Sequence, residues 1–218
     1  MNKDVIMPFE VEKEYFVDPI ELKKKPFYSF FKRAFDIVAS ILAMIVLAIP
    51  MFIVGIAVKR TSNGPAIYKQ ERLGLNGKKI VVYKYRTMCI DAEKDGAQWS
   101  RGKVDERITP LGRKLRSTRV DELPQLWNVL KGDLSIVGPR PERECFYEEF
   151  EKYVHGFSQR MKVKPGLTGL AQINGGYTLK PEEKIVYDVE YIKTRSFLND
   201  IKIIFKTVHV VLSHDGAK

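Results

Sequence analysis

Two adjacent carboxylates and an arginine framed by prolines are the residues whose types and spacing could perform chemistry. Asp121 and Glu122 stand just before a predicted helix, and Arg140 lies between Pro139 and Pro141. Prolines on both sides fix an extended backbone around the arginine, and the planar guanidinium suits two-point binding of phosphate. Carboxylates followed by a fixed guanidinium indicate a site for a phosphorylated reactant.

The acidic pair fits two kinds of phosphate chemistry. Asp121 is predicted as the N-cap of a helix over residues 122–131, where backbone N–H groups and the helix dipole would lower its pKa. The ionised carboxylate could then attack phosphorus and form a covalent intermediate. The pair could instead be a Mg²⁺ site without covalent chemistry, because adjacent carboxylates suit this ion and two phosphorylated reactants need their charge screened. The residues alone leave both alternatives open. The segment before the pair adds four basic side chains: Arg113, Lys114, Arg116 and Arg119.

A β-hairpin is predicted upstream of the acidic pair. Two β-prone runs, residues 67–72 and 79–86, flank an Asn-Gly pair that tolerates positive φ. The two-residue period of a strand places Lys84 and Arg86 on one face. They would contact a ligand if that face points towards the acidic pair; otherwise they are ordinary solvated strand charges.

The remaining segments predict an α+β fold that is mostly helical. Helices are expected after Pro110, over residues 145–161 and from Pro181 to Arg195. The last predicted helix, over residues 196–212, is amphipathic. Its apolar face could pack on a core or lie in a membrane interface.

An apolar segment over residues 37–58 predicts insertion into a membrane. It holds 22 residues without a charge, enough to span a hydrocarbon core of about 30 Å as a helix. Pro50 lies inside the run, where it breaks or kinks a helix. Basic residues flank both ends, whereas a spanning helix usually carries its basic excess on the cytoplasmic side. A hairpin that enters and leaves by one face and a kinked single span both remain open on these residues.

The charge balance predicts anionic partners. Lysine and arginine number 37 against 27 acidic residues, a net charge of +10, which suits nucleic acid, anionic lipid or phosphorylated small molecules. Cys89 and Cys145 form no CxxC pattern, and the three histidines lack metal-ligand spacing, so zinc chemistry is not expected. The non-enzymatic alternative is a membrane-anchored basic domain that binds anionic lipid or nucleic acid without catalysis.

Four blocks in the same order give the chain a resemblance to a known family. "FKRAFDIVASILAMIVLAIP", "GPAIYKQERLGLNGKKIVVYKYRTM", "TPLGRKLRSTRVDELPQLWNVLKGDLSIVGPRPE" and "VKPGLTGLAQINGG" resemble the bacterial sugar transferases, the monotopic polyprenyl-phosphate sugar-1-phosphate transferases. The likeness runs from about Phe30 to the C-terminus. It implies transfer of a sugar-1-phosphate from a UDP-sugar to undecaprenyl phosphate, with release of UMP, as the first membrane step of surface polysaccharide or glycoconjugate synthesis.

The resemblance also implies roles for individual residues. Asp121 would be the nucleophile that forms a covalent phosphosugar intermediate, and Glu122 its partner in metal binding or proton handling, with both as ligands of Mg²⁺. Arg116 and Arg140 would hold phosphate, and Lys84 and Arg86 would lie near the same anionic site. Pro50 matches the break of a re-entrant membrane helix, which favours the hairpin over the span.

The expected organisation has three parts. Residues 1–28 form an N-terminal extension that we expect to be loosely ordered, residues 29–60 a re-entrant membrane helix broken at Pro50, and residues 61–218 a small cytosolic catalytic domain with a β-hairpin and amphipathic interfacial helices. The resemblance places the protein in the bacterial inner membrane, with this domain on the cytoplasmic face. The implied partners are UDP-sugar, undecaprenyl phosphate and membrane lipid, with a homo-oligomer left open and no nucleic acid.

Overall fold

An α+β architecture rich in helix, as predicted, is present in the computed structural model, which describes residues 11, 13–94, 96 and 105–213. Within these residues the strands form three two-stranded sheets. In chain order the elements are β1 (Tyr15–Phe16), α1 (Pro26–Val46), α2 (Ala48–Thr61), β2 (Ile67–Leu73), β3 (Lys79–Tyr85), α3 (Pro110–Ser117), α4 (Gln125–Lys131), β4 (Ser135–Val137), α5 (Glu144–Glu151), β5 (Val154–His155), β6 (Gly166–Thr168), α6 (Leu170–Ile173), α7 (Pro181–Thr194) and α8 (Phe197–Ser213).

The apolar segment forms two helices, α1 and α2, with a sharp bend between them. Their axes differ by 66° across a break at Leu47. The break precedes Pro50 by three residues because Pro50 has no N–H to donate to the carbonyl of Val46, four residues before it. Among the described residues no single helix has the length and apolar content to cross a membrane, whereas this bent pair taken together does. Many of its large apolar side chains are exposed, among them Val46, Ile49 and Phe52.

Two polar side chains fasten α1 to the rest of the protein. The Arg33 guanidinium donates to the carbonyls of Val129 and Leu130, each at 2.7 Å, and so binds the C-terminal end of α4. Buried Asp36 accepts from the Ser135 hydroxyl at 3.1 Å and from the backbone N–H of Ile136 at 3.0 Å. The apolar helix pair is therefore held directly by α4 and the start of β4, the two elements that follow the acidic pair in the chain.

The predicted hairpin is confirmed. Strands β2 and β3 pair antiparallel, with Tyr68 opposite Lys84, and a 3₁₀ turn over Leu75–Gly77 joins them. Asn76 adopts a φ of 53° in this turn, which asparagine tolerates better than most residues. The hairpin ends next to α2, where the Tyr85 hydroxyl donates to the Met51 carbonyl at 2.6 Å.

The expectation of a loosely ordered extension is wrong for residues 13–25. Strand β1 pairs in parallel with β5, and Ile20 is buried in a core cluster with residues of β4, α7 and α8. Gln159 and Lys162 bind the backbone of residues 17–20. The residues that order this segment lie far along the chain. The periodicity of the segment itself therefore could not predict that it is ordered. Residues 1–10 lie outside the described residues.

Only part of the apolar face of the last helix packs on the core. Ile203 is buried against α7 and β4, whereas Phe205 and Val208 are exposed. One narrow side of α8 therefore packs on the core, and other apolar side chains face outward, as in a helix that lies on a membrane surface.

Candidate active site

The acidic pair lies in a turn between two helices and not at a helix cap. Helix α3 is capped by Thr109, whose hydroxyl oxygen accepts from the Gly112 N–H at 2.9 Å. After it ends, Asp121 and Glu122 fall in a 3₁₀ turn over Val120–Glu122, and α4 starts only at Gln125. The predicted N-cap role of Asp121 is therefore wrong. The third residue after it is Pro124, which has no N–H to donate to a capping carboxylate.

Arg119 makes the turn that brings the pair into position. It adopts the left-handed conformation, with φ 58° and ψ 11°. Its backbone N–H donates to the Arg116 carbonyl, and its own carbonyl accepts from the Glu122 N–H at 3.1 Å. A bulky residue in this conformation costs about 1–3 kcal/mol, and glycine is the usual residue just after a helix.

Glu122 is the centre of a buried cluster of charges. Its Oε1 lies 3.0 Å from Lys84 Nζ, its Oε2 accepts from Arg140 Nη1 at 3.2 Å, and Arg140 Nη2 also contacts Oε1. Burial opposes ionisation of Glu122, but the charges of Arg140 and Lys84 outweigh it and hold the pKa well below its usual range. The hairpin face that carries Lys84 therefore points at the acidic pair, and the proline-framed arginine reaches it from the other side.

Asp121 has a different environment from its neighbour. Its side chain is buried, and its Oδ1 has no hydrogen-bond partner among the described residues. Burial and the charge of Glu122 raise its pKa from 3.8 to about 6, against the opposing charges of Lys84 and Arg116. The predicted lowering of this pKa is wrong, because the capping N–H groups on which it depended do not reach the carboxylate.

Asp121 faces a cavity with a cationic wall. The cavity has a volume of about 490 Å³, a size usual for small-molecule sites. Five of the six residues assigned from the sequence to chemistry or phosphate binding line it, whereas Glu122 lies behind the wall as the partner of two of them. Those five lining residues are Lys84, Arg86, Arg116, Asp121 and Arg140.

Arg86 lines the cavity but uses its guanidinium elsewhere. It donates to the Ser62 carbonyl at 2.7 Å and hydroxyl at 2.8 Å, and to the Pro65 carbonyl. These bonds tie the end of α2 to the end of the hairpin. Arg86 is thus near the anionic site, as expected, while its described hydrogen bonds serve to hold the apolar helix pair beside the cavity.

The segment around Arg140 is fixed by hydrogen bonds on both sides. The Gly166 N–H donates to the Pro139 carbonyl at 2.9 Å, next to the parallel pair of β4 and β6. Arg72 on β2 donates to the Pro141 carbonyl at 2.8 Å. The arginine that contacts Glu122 is therefore held between the sheet and the hairpin.

Three residues of this site were missed from the sequence. Arg72, Glu142 and Lys184 line the same cavity. Glu142 lies 3.0 Å from Arg72 and 3.6 Å from Lys184. Burial lowers the pKa of Lys184 against the charge of Glu142. The position of Glu142 directly after the Pro139–Pro141 segment was an available signal. Lys184 comes from an ordinary amphipathic helix, which gave none.

The donor set fits Mg²⁺ at Asp121 better than at Glu122. The described residues hold no group of three or more histidine, cysteine or acidic side chains arranged to bind a metal. Asp121 supplies a buried carboxylate oxygen with no partner, whereas both oxygens of Glu122 are already paired with Lys84 and Arg140. Mg²⁺ commonly takes one or two carboxylates and completes its shell with water and substrate phosphates. A single carboxylate ligand from Asp121 would therefore be sufficient for the protein's share of such a shell.

Comparison with known proteins gives a consistent set of relatives. The family model described as bacterial sugar transferase matches residues 27–214. A UDP-N-acetylgalactosamine-undecaprenyl-phosphate N-acetylgalactosaminephosphotransferase of Aeromonas hydrophila is 38% identical over 200 residues, which cover 90% of this chain and 47% of that protein. A UDP-glucose:undecaprenyl-phosphate glucose-1-phosphate transferase of Klebsiella pneumoniae is 46% identical over 183 residues, covering 82% and 39%.

A shorter relative matches over more of its own length. The UDP-glucose:undecaprenyl-phosphate glucose-1-phosphate transferase of Caulobacter vibrioides is 41% identical over 192 residues, covering 85% of this chain and 71% of that protein. The chain spans less than half the length of the Aeromonas and Klebsiella relatives. The names of these relatives specify different sugars, so the similarity does not identify a sugar for this chain.

Proposed function

The chain belongs to the bacterial sugar transferase family, and from that membership we propose that it transfers a sugar-1-phosphate from a UDP-sugar to undecaprenyl phosphate and releases UMP. The observation that carries this proposal is the position of Asp121, a buried carboxylate in the wall of a cavity lined by Lys84, Arg116 and Arg140. Both reactants are phosphates, and a cationic cavity large enough for a small molecule suits them. The product would start a surface polysaccharide or another glycoconjugate.

Asp121 is the nucleophile in the proposed reaction. Its carboxylate oxygen attacks the phosphorus that carries the sugar, and the bond from that phosphorus to the bridging oxygen breaks, so that UMP leaves with the electron pair. An oxygen of undecaprenyl phosphate then attacks the same phosphorus and displaces the aspartate as a carboxylate. With a pKa of about 6, Asp121 is mostly ionised at neutral pH and is able to attack.

Glu122 serves the reaction by holding two cations in place. Its ion pairs with Lys84 and Arg140 orient both groups towards the cavity before substrate arrives, and such preorganised charge stabilises the negative charge of the transition state. Arg116 adds a further guanidinium to the same wall. Mg²⁺, held by Asp121 and substrate oxygens, would supply further screening of phosphate charge when bound.

The bent helix pair supports residence of this site at a membrane surface. We propose that α1 and α2 enter and leave the lipid by the cytoplasmic face of the bacterial inner membrane. Their exposed apolar side chains suit lipid, and Arg86 and Tyr85 tie α2 to the cavity wall. A polyprenyl chain could then remain in the bilayer while its phosphate meets a water-soluble donor.

A donor-panel assay tests the proposed function. The full chain in lipid nanodiscs with undecaprenyl phosphate and Mg²⁺ is incubated with UDP-glucose, UDP-galactose and the two N-acetylhexosamine donors, and UMP is measured. We expect UMP and a lipid-linked product from at least one donor, and none from Asp121→Asn. Absence of UMP with every donor would contradict the proposal and favour an anion-binding domain, whose affinity for anions Asp121→Asn would leave intact or increase.

A further inference from the structure

Arg119 combines a strained backbone with a position in the wall of the cavity. Asn76, in the hairpin turn, is the only other non-glycine residue with positive φ among the described residues, and asparagine tolerates that region because its side chain is short and can hydrogen-bond locally. Arginine has no such advantage. Strain held at a functional site is a physical reason to look for a role of the side chain.

Turning the chain after α3 does not require an arginine side chain. The turn uses the backbone of Arg119, whose N–H donates to the Arg116 carbonyl and whose carbonyl accepts from the Glu122 N–H. Glycine offers the same two backbone groups and adopts this conformation without a steric penalty. The side chain therefore contributes something that the turn itself does not need.

The charges of the cavity indicate what that contribution is. Lys84 and Arg140 are paired with Glu122, whose carboxylate also feels the charge of Arg119, and Arg86 is bonded to carbonyls of the segment between α2 and β2. The phosphates of either substrate bring further negative charge into this cavity. Arg116 and Arg119 add guanidinium groups to the same wall, one on each side of the end of α3.

We propose that Arg119 is a further substrate-binding residue, whose guanidinium contacts a phosphate oxygen in this cavity. The inference rests on the proposed function, since it takes the substrates to be a nucleotide sugar and a lipid phosphate. The phosphate oxygen comes either from the diphosphate of the donor or from the phosphate of the acceptor. Both sources share one chemistry, and the experiment separates them.

Three substitutions separate the charge of Arg119 from the strain of its backbone. Arg119→Gly removes the charge and relieves the strain, Arg119→Gln removes the charge and retains a side chain, and Arg119→Lys retains both charge and strain. Arg113→Ala is the matched control, because it removes the same charge from an exposed position of α3 that does not line the cavity. The full chain in nanodiscs is titrated calorimetrically with inorganic pyrophosphate, which stands in for the donor, and with farnesyl phosphate, which stands in for the acceptor.

If the donor is the source, the dissociation constant of pyrophosphate rises about 10-fold or more in the Gly and Gln variants and about 2–3-fold in the Lys variant, as for loss of a charge-assisted hydrogen bond. If the acceptor is the source, farnesyl phosphate shows that pattern instead.

The Gly variant should unfold at a temperature at least as high as the wild type. The inference is overturned if both neutral variants bind both probes within about twofold of wild type, or if Arg113→Ala weakens binding as much as they do. Neither probe needs turnover, so the result is independent of whether any donor yields UMP.

Discussion

The buried Glu122 carboxylate and the partly buried Arg140 guanidinium form a two-point ion pair across 18 residues of sequence, with Arg140 Nη1 3.2 Å from Oε2 and Nη2 in contact with Oε1. Lys84 shares Oε1 at 3.0 Å. Asp121, the next residue along the chain, has a buried Oδ1 without a partner. Two adjacent carboxylates thus have separate environments, and such separation is how one site assigns different roles to chemically similar groups.

Replacing Glu122 should change the pH dependence as well as the rate. In Glu122→Gln, Lys84 and Arg140 lose their counter-charge, and we expect the transfer rate to fall by about 10–1000-fold, as for loss of preorganised charge in an active site. The charge of Glu122 also raises the pKa of Asp121, so the acidic limb of the pH–rate profile should move to lower pH. The profile is measured from UMP release.

The same variant discriminates between two roles of Glu122. If Glu122 holds cations, the Mg²⁺ concentration for half-maximal activity should stay close to that of wild type. A large increase in that concentration, with the acidic limb unmoved, would show Glu122 to be a metal ligand and contradict the role argued here.

Activity of the wild-type protein should fall on acidification through the pKa of Asp121. Burial and the charge of Glu122 place this pKa at about 6, and only the ionised carboxylate attacks. Below pH 6 the rate of the first half-reaction should therefore fall about tenfold per pH unit. Single-turnover release of UMP from pH 4.5 to 8 measures it. A rate that stays constant down to pH 5 would be incompatible with Asp121 as the nucleophile in this environment.

Asp121→Asn should abolish transfer and yet stabilise the protein at neutral pH. The pKa of Asp121 is raised on folding, so the folded protein holds the proton more tightly than the unfolded chain, and the ionised group opposes folding above about pH 6. Its removal should add of order 1–3 kcal/mol at pH 7.5. That gain should shrink as the pH falls from 6 towards 4 and disappear below the ordinary pKa of 3.8, where both states are protonated.

Thermal unfolding of the two proteins at several pH values measures this difference. For a chain of this size, each 1 kcal/mol corresponds to roughly 2–4 °C in Tm. Glu190→Gln provides a control, since this carboxylate is exposed on α7 and does not line the cavity. A variant Asp121→Asn that is less stable than wild type at pH 7.5 would contradict the raised pKa.

Arg86 should contribute more to stability than to phosphate binding. Arg86→Lys keeps a positive charge but cannot reach Ser62 and Pro65 together, and we expect a loss of about 1–3 kcal/mol of stability from unsatisfied carbonyls. The KM for the UDP-sugar should change little. A KM increase of about tenfold or more, with Tm unchanged, would show that Arg86 binds substrate and that its described hydrogen bonds are replaced when substrate arrives.

The bend between α1 and α2 should depend on Pro50. Restoring an N–H at this position with Pro50→Leu allows the helix to continue past Leu47, so the segment should cross the membrane. Single cysteines at residues 24 and 63, in a background without Cys89 and Cys145, report the side of each end through an impermeant thiol reagent. Both should react from the cytoplasmic face in the wild type, and only one in the variant. Labelling from opposite faces in the wild type would contradict the re-entrant arrangement.

The sequence predicted the elements that local chemistry determines. The Asn-Gly pair located the hairpin, the uncharged run located α1 and α2, and the acidic pair with its proline-framed arginine located the cavity. Each of these follows from residues close together in the chain, where backbone preference and periodicity are informative.

The environment of Asp121 could not be predicted, because it depends on an irregular turn, and hydrophobic periodicity in the sequence does not indicate such turns. The left-handed Arg119 and the missing N–H of Pro124 remove the helix cap on which the expected low pKa depended. The burial that raises this pKa comes from side chains far along the chain. The docking of residues 13–25 escaped prediction for the same reason, since its partners are β5 and Gln159.

Mass spectrometry of the intact protein tests the central claim most directly. The detergent-solubilised chain is incubated with Mg²⁺ and a UDP-sugar that yields UMP, without lipid acceptor, and then digested to locate any adduct. The account predicts a gain of one sugar-phosphate on Asp121, lost when undecaprenyl phosphate is added and absent from Asp121→Asn. An unmodified Asp121 under conditions in which UMP forms once the acceptor is present would contradict the covalent intermediate and leave a one-step transfer in which Asp121 binds metal.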